Sequence, residues 1–299
     1  MNQASSLTVI TISDKKYPSL LKEIPDAPKK IYCLGKLPDE SPADGLKIAI
    51  VGTRKASNYG QSLAKEIAKK LTKLGIIIVS GLAMGIDTAA HEGALETKGK
   101  TIAVLANGLD KIYPAQNKNL AKKIIELGGA IISEYPPNTP AFPNQFLERN
   151  RIVSGLCLAT IIIEAPERSG SLATARLAAE QGREVFVVPG AIHDPNYFGS
   201  HALIRDGARL ITSVENILED LNLKISDLQI PISNKKLTRK NITDKNQLRV
   251  IEAIKKAGEP LVIDKIIEIT ELEPQTANSA ITFLTLEGMI KETKKGYSL

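Results

Sequence analysis

The chain has 299 residues, 39 Lys and Arg against 33 Asp and Glu, 43% hydrophobic residues and only 4% aromatic, for a net charge of +6. An apolar fraction near the globular average excludes wholesale disorder and fibrous repeats. The longest apolar runs, at 76–79 and 159–163, fall far below the roughly 18 residues of a membrane-spanning helix, and the N-terminus lacks a signal-peptide pattern, so the chain reads as cytoplasmic.

The Pro-rich stretch before residue 47 reads as an ordered lead-in that packs on a sheet and ends in a loop. From residue 47, short β-branched runs alternate with helical stretches: KIAIVG and a helix over 59–74, IIIVS and a helix over 85–97, TIAVLA and a helix over 117–127. The alternation continues with a strand at 130–133, a helix near 146–156, a strand at 159–163, a helix over 170–181 and a strand at 184–188. A shorter unit at 201–206, the run ARLIT and a helix over 214–221 close this domain. Strands this uniformly apolar are buried on both faces, which predicts an α/β, doubly wound, mostly parallel sheet covered by helices. Residues 222–245 turn polar and irregular, with six basic and two acidic side chains, and read as a basic flexible linker. Residues 246–299 follow with helices over 247–256, 262–269 and 276–286 and a hairpin turning at Lys295 and Gly296, the pattern of a small winged helix. Cys33 and Cys157 lie far apart without CxxC spacing, which favours buried thiols over a disulfide or zinc pair.

Four stretches carry candidate chemistry. At the first strand–helix junction, Gly52 lets a ligand approach closely, Thr53 and the following amides can meet an anion, and Arg54 offers a planar fork to phosphate. Alone, such a junction reads equally as a tight turn beside a solvated Arg, and neither GxGxxG nor GxxxxGK[ST] occurs. The second junction, SGLAMGIDTAAH, repeats the arrangement with Ser80 and Gly81; Asp87 can cap or brace the helix, and His91 reads as a packed histidine. The third holds Phe146, either a core ring or a platform for a base, with Arg149, Asn150 and Arg151. Arg149 and Arg151 point in different directions, so one is expected to face a ligand and the other to brace the structure. The fourth, ERSGSLATA, places Ser169, Gly170 and Ser171 at a helix start, either as an ordinary cap or as a phosphate cradle. Glu134 and Glu164 end strands nearby and read either as an acid/base pair or, the favoured reading, as each orienting an Arg of the cluster. No metal motif or nucleophile elbow is present, so no catalytic residue, metal or cofactor is assigned.

These stretches, with YP at Tyr17, YG at Tyr59, the Gly108–Pro114 segment, EQGR, VPG and LIRDGA, resemble the DNA-processing protein A (DprA, also Smf) family of bacterial transformation and recombination. The resemblance implies an extended Rossmann-like domain that forms a homodimer, binds single-stranded DNA without marked sequence preference, loads the RecA recombinase and catalyses no reaction. Carried over, it places the DNA pocket at Gly52, Thr53, Arg54, Ser80, Gly81, Phe146, Arg149, Asn150, Arg151, Ser169, Gly170 and Ser171, and dimerisation near Leu203, Ile204 and Leu210. The sequence departs from the family in two places. Many members begin with a sterile-alpha-motif domain, for which the chain before Lys47 is too short, and His201 stands where Asn is common. The helix over 276–286, in the recognition-helix position, has no Lys or Arg, which favours a protein-contact or regulatory role for the winged helix over duplex binding. The domain also resembles the nucleoside-monophosphate phosphoribohydrolases, an alternative reading as a nucleotide-hydrolysing enzyme, although their PGGxGTxxE is missing: the corresponding stretch keeps small residues and ends in Glu180 but lacks the glycine run.

Overall fold

The computed structural model describes residues 7–38, 46–223, 245–286, 290–293 and 296–298. The chain divides into two compact units, Met1–Pro231 and Ile232–Leu299. The segment read as a linker lies outside the described residues, apart from its two ends.

In the first unit the strands are β1 (Thr8–Thr11), β2 (Lys30–Gly35), β3 (Lys47–Val51), β4 (Ile77–Ser80), β5 (Thr101–Leu105), β6 (Ala130–Ser133), β7 (Ala159–Ile162), β8 (Glu184–Val187) and β9 (Arg209–Leu210). They form one nine-stranded sheet in the order β1-β2-β6-β5-β4-β3-β7-β8-β9. From β6 to β9 every pairing is parallel. Between them run helices α1 (Ser19–Lys22), α2 (Asn58–Lys73), α3 (Ile86–Glu96), α4 (Lys118–Glu126), α5 (Pro143–Gly155), α6 (Gly170–Glu180), α7 (Phe198–Arg205) and α8 (Val214–Asp220). Strand alternation splits the core into two layers. Ala49, Val51, Val79 and Ile162 face a layer shared with Ile152 and Val153 of α5 and Ala175 of α6. Ile48, Ile50, Ile78 and Ile161 face the opposite layer, with Leu71 of α2 and Ile217 of α8.

The lead-in differs from its sequence reading: its residues join the sheet as β1 and β2, pairing antiparallel through Tyr32 against Ser133 and Cys33 against Ile132. Ile31 and Cys33 point inward and are buried, a two-residue alternation too short to stand out between Pro and Lys. Cys33 and Cys157 are buried free thiols. Among the described residues no helix is long and apolar enough to cross a membrane.

The second unit contains α9 (Lys245–Ala257), α10 (Ile263–Thr270), α11 (Pro274–Leu286) and the antiparallel pair β10 (Lys291–Thr293) and β11 (Gly296–Ser298). Val250, Ile254, Ile266, Ala277, Ile281 and Leu284 form its core, and Leu261 bridges to Tyr297 to add a third extended segment beside the hairpin.

Candidate nucleic-acid interface

Strand β3 lies at the switch point of the sheet: β4, β5 and β6 extend to one side of it, and β7, β8 and β9 to the other. Loops leaving adjacent strand ends diverge at such a point and open a crevice. Here the crevice is a cavity of about 560 Å³ lined by the turns after β3, β4 and β7 and by one face of α5.

The turn after β3 is built for close packing. A Cβ on Gly52 would lie 2.6 Å from Cγ1 of Ile86, so α3 can approach only because this residue is glycine. Thr53 N–H donates to the Glu164 carbonyl at 2.8 Å, tying the turn to β7. Ser57 then caps α2, accepting from Gly60 N–H at 2.9 Å. Between these anchors Arg54 and Lys55 are exposed and line the cavity. The guanidinium carbon of Arg54 lies 4.9 Å from the centroid of the Phe146 ring, a cation–π contact, and Phe146 meets Tyr113 at 5.5 Å with the rings tilted by 58°. The phosphate fork and the base platform predicted from sequence therefore touch each other.

The turn after β4 is held from below. Asp87 accepts from the N–H groups of Gly81 (3.0 Å) and Ala83 (3.3 Å). Arg149 is 5% exposed and donates from Nη1 to the Gly81 carbonyl at 2.8 Å and to the Val104 carbonyl. A Cβ on Gly81 would fall 2.6–2.7 Å from that guanidinium. Burial lowers the Arg149 pKa to about 10, an effect the Asp87 charge partly offsets, so the group remains cationic at neutral pH. Burial raises the Asp87 carboxyl, opposed by Arg149 and by the amides it accepts from.

At the head of α6, Ser169 accepts from Ser171 N–H at 3.3 Å, and the two hydroxyls lie 2.7 Å apart. A Cβ on Gly170 would meet nothing within 4 Å, so this helix start is open to a ligand, with the exposed Arg168 beside it. Asn150 donates to the Gly170 carbonyl at 3.3 Å and joins α5 to α6 across the cavity wall.

Of the residues singled out from sequence, Gly52, Thr53, Arg54, Gly81, Phe146, Arg149, Asn150, Ser169, Gly170 and Ser171 line the cavity. Ser80 and Arg151 do not. Ser80 is fully buried and donates to the Ile50 carbonyl at 2.7 Å, joining β4 to β3. Arg151 turns away to an ion pair with Glu134 at 2.7 Å. Both arginines of the α5 cluster thus brace the structure, whereas one was expected to face a ligand. Glu134 orients Arg151 as expected. Glu164 meets no Arg among the described residues and accepts instead from Ser57 N–H and Oγ and, at 3.4 Å, from the Tyr197 hydroxyl. Lys55, Tyr113 and Arg168 also line the cavity: Lys55 follows Arg54, Arg168 precedes Ser169 in ERSGSLATA, and Tyr113 lies in the Gly108–Pro114 segment. Leu203 and Ile204 on α7 pack partly against the core, whereas Leu210 on edge strand β9 is 47% exposed. Among the described residues no group of His, Cys, Asp and Glu could hold a metal ion.

His91 packs beneath the second turn, fully buried, with Nδ1 2.7 Å from Thr101 Oγ1 and no partner at Nε2. Burial, reinforced by Arg149, lowers its pKa to about 3 from an ordinary 6.5. The folded state thus keeps His91 neutral while the unfolded state protonates it. This contribution is complete above pH 6.5 and is lost as pH falls toward 3, at up to ~1.4 kcal/mol per pH unit. Urea unfolding between pH 7 and 5 should show this slope in the wild type and a shallower one in His91→Gln; equal slopes would assign the acid sensitivity elsewhere.

The profile of the family described as DNA recombination-mediator protein A matches residues 8–222. The chain is 43% identical over 213 residues to protein Smf of Escherichia coli, covering 71% of this chain and 56% of that protein. It is 43% identical over 215 residues to DNA processing protein DprA of Bacillus subtilis, covering 72% and 71%. Among solved structures, DNA processing protein A of Streptococcus pneumoniae superposes with a TM-score of 0.66 at 41% identity, covering 73% of this chain and 75% of that one. DNA processing protein A of Helicobacter pylori, which has a single-stranded DNA binding mode, superposes with a TM-score of 0.63 at 34% identity, covering 74% and 98%.

Proposed function

The chain belongs to the DNA recombination-mediator protein A family, and from that premise we propose that it binds single-stranded DNA at the cavity beyond β3, β4 and β7 and delivers it to the RecA recombinase during DNA uptake and recombination. The observation that carries the reading is the set of exposed cations lining the cavity: Arg54, Lys55 and Arg168 have no ion-pair partner among the described residues. They flank the open N-terminus of α6, where free amides and the helix dipole favour phosphate. Asp87, among the described residues the one carboxylate lining the cavity, is occupied by two amides, which favours binding over acid–base hydrolysis. A second copy packing along α7 and β9, through Leu203, Ile204 and Leu210, belongs to the same proposal and is supported by the exposed edge at Leu210.

Fluorescence anisotropy of a labelled single-stranded oligonucleotide, with duplex as competitor, tests the reading across a salt series. Single-strand-preferring binding that weakens with salt by a slope of about 0.7 per neutralised phosphate is expected. Salt-insensitive or duplex-preferring binding would overturn it. Faster assembly of recombinase filaments on protein-coated single strands is the expected second result.

Phe146→Ala should weaken binding of all sequences alike by ~1–3 kcal/mol, since it removes a stacking face and releases Arg54 from its ring contact. Tyr113→Ala, at the other ring, is expected to lose less, and full affinity in Phe146→Ala would remove base stacking from the account.

A further inference from the structure

Glu164 is fully buried at the end of β7, and its carboxylate meets no Lys, Arg or His among the described residues. A buried carboxylate in that position persists only if hydrogen bonds satisfy it. Its Oε2 accepts from Ser57 N–H at 2.9 Å, its Oε1 accepts from Ser57 Oγ at 2.5 Å and from the Tyr197 hydroxyl at 3.4 Å, and its own carbonyl accepts from Thr53 N–H at 2.8 Å. One residue therefore grips both ends of the five-residue turn from Thr53 to Ser57, and Arg54 and Lys55 lie inside that grip. The first turn of α2 rests directly on the carboxylate: a Cβ on Gly60 would lie 2.4–2.7 Å from its atoms. The helix N-terminus supplies the favourable end of a dipole where no cation is present.

We propose that Glu164 is the positioning residue of this turn: by clamping Thr53 and Ser57 it holds Arg54 and Lys55 at the cavity. The inference rests on the single-stranded DNA reading above. What Glu164 supplies is reach and hydrogen-bond acceptors. In Glu164→Gln an amide oxygen can still accept from Ser57 N–H, while the amide nitrogen donates to the Ser57 and Tyr197 hydroxyls, which can turn to accept. In Glu164→Asp the charge remains but the side chain is one methylene short of Ser57.

The test is the salt series of single-strand binding on the full chain, with variants of Glu164, Arg54 and Lys55. Glu164→Ala and Glu164→Asp should bind roughly a hundredfold more weakly, with a salt slope smaller by about 1.4, the share of two phosphate contacts at about tenfold and 0.7 each. Glu164→Gln should stay within about twofold of the wild type in affinity and keep its slope. In an Arg54→Ala/Lys55→Ala background, Glu164→Ala should cost nothing further, because the groups it positions are gone. A smaller folded fraction lowers the binding-competent concentration and leaves the slope unchanged, so an unaltered slope in Glu164→Ala and Glu164→Asp would overturn the proposal. An undiminished cost in the double-Ala background would do the same. If Glu164→Ala does not fold, the contrast between Asp and Gln carries the test. Loss of salt-dependent binding in the wild type would sink the DNA reading itself, whereas wild-type binding that Arg54→Ala weakens and Glu164→Asp leaves unchanged would sink this inference alone.

Discussion

Arg149→Ala is expected to lower unfolding free energy by ~2–5 kcal/mol, the cost of leaving buried carbonyls without their donor and a buried carboxylate without its opposing charge. The guanidinium lies beneath the cavity, donates to the carbonyls of Gly81 and Val104, and is the cation that opposes the buried Asp87. Its removal leaves Asp87 with the hydrogen bonds of the Gly81 and Ala83 amides and Ser80 but no opposing charge, and leaves two buried carbonyls without this donor. Urea unfolding reads the loss directly. Gly81→Ala should approach the same result by a different route, because its new Cβ would lie within 2.7 Å of the guanidinium and push it out of its seat. Arg54→Ala serves as the control: exposed and without an ion pair among the described residues, it should change stability by no more than ~0.5 kcal/mol. If Arg149→Ala unfolds like the wild type while losing affinity, Arg149 is a ligand-facing cation and the bracing role assigned to it is wrong.

The second large effect runs the other way. Arg54→Ala should weaken single-strand binding about tenfold at low salt for every sequence tested, and reduce the salt slope by about 0.7, with stability unchanged. Combining it with Arg168→Ala should remove a further contact and bring the reduction in slope to about 1.4, because the two cations stand on different loops, after β3 and before α6, and each meets the cavity independently. Titrations at several salt concentrations separate this from a general loss of fold. An unchanged slope in the double variant would mean that phosphate does not pass between these loops, and the proposed path across the cavity would have to be abandoned.

The two arginines show where sequence reading stops. Arg149 and Arg151 stand two apart on α5, and helical spacing alone shows that they diverge, not which neighbours receive them. Arg149 reaches carbonyls 45 and 68 residues away in the chain, and Arg151 pairs with a carboxylate 17 residues before it. Glu164 is the same case: its partner Ser57 is 107 residues distant, so an expectation built on neighbouring arginines could not find it. Tyr113 and Arg168 carry no local signal, because an aromatic and a basic residue in polar loops are ordinary until a cavity forms beside them. The lead-in became β1 and β2 because β6 offers an open edge on its far side, a fact of sheet order with no local signal.

What the sequence determined by itself was the alternation of buried strands and covering helices, and with it the parallel sheet, the glycine turns and the motif set of the family. Period, β-branching and glycine placement are local properties, and each of these features follows from local chemistry. Tertiary structure alone decided which cations remain free. Strand order brought Glu134 to Arg151 and set Asp87 beneath the turn that Arg149 braces, while Arg54, Lys55 and Arg168 acquired no carboxylate partner among the described residues. Whether a charge is available to a ligand depends on the neighbours that folding brings to it across the chain, and charge spacing in the sequence does not encode that.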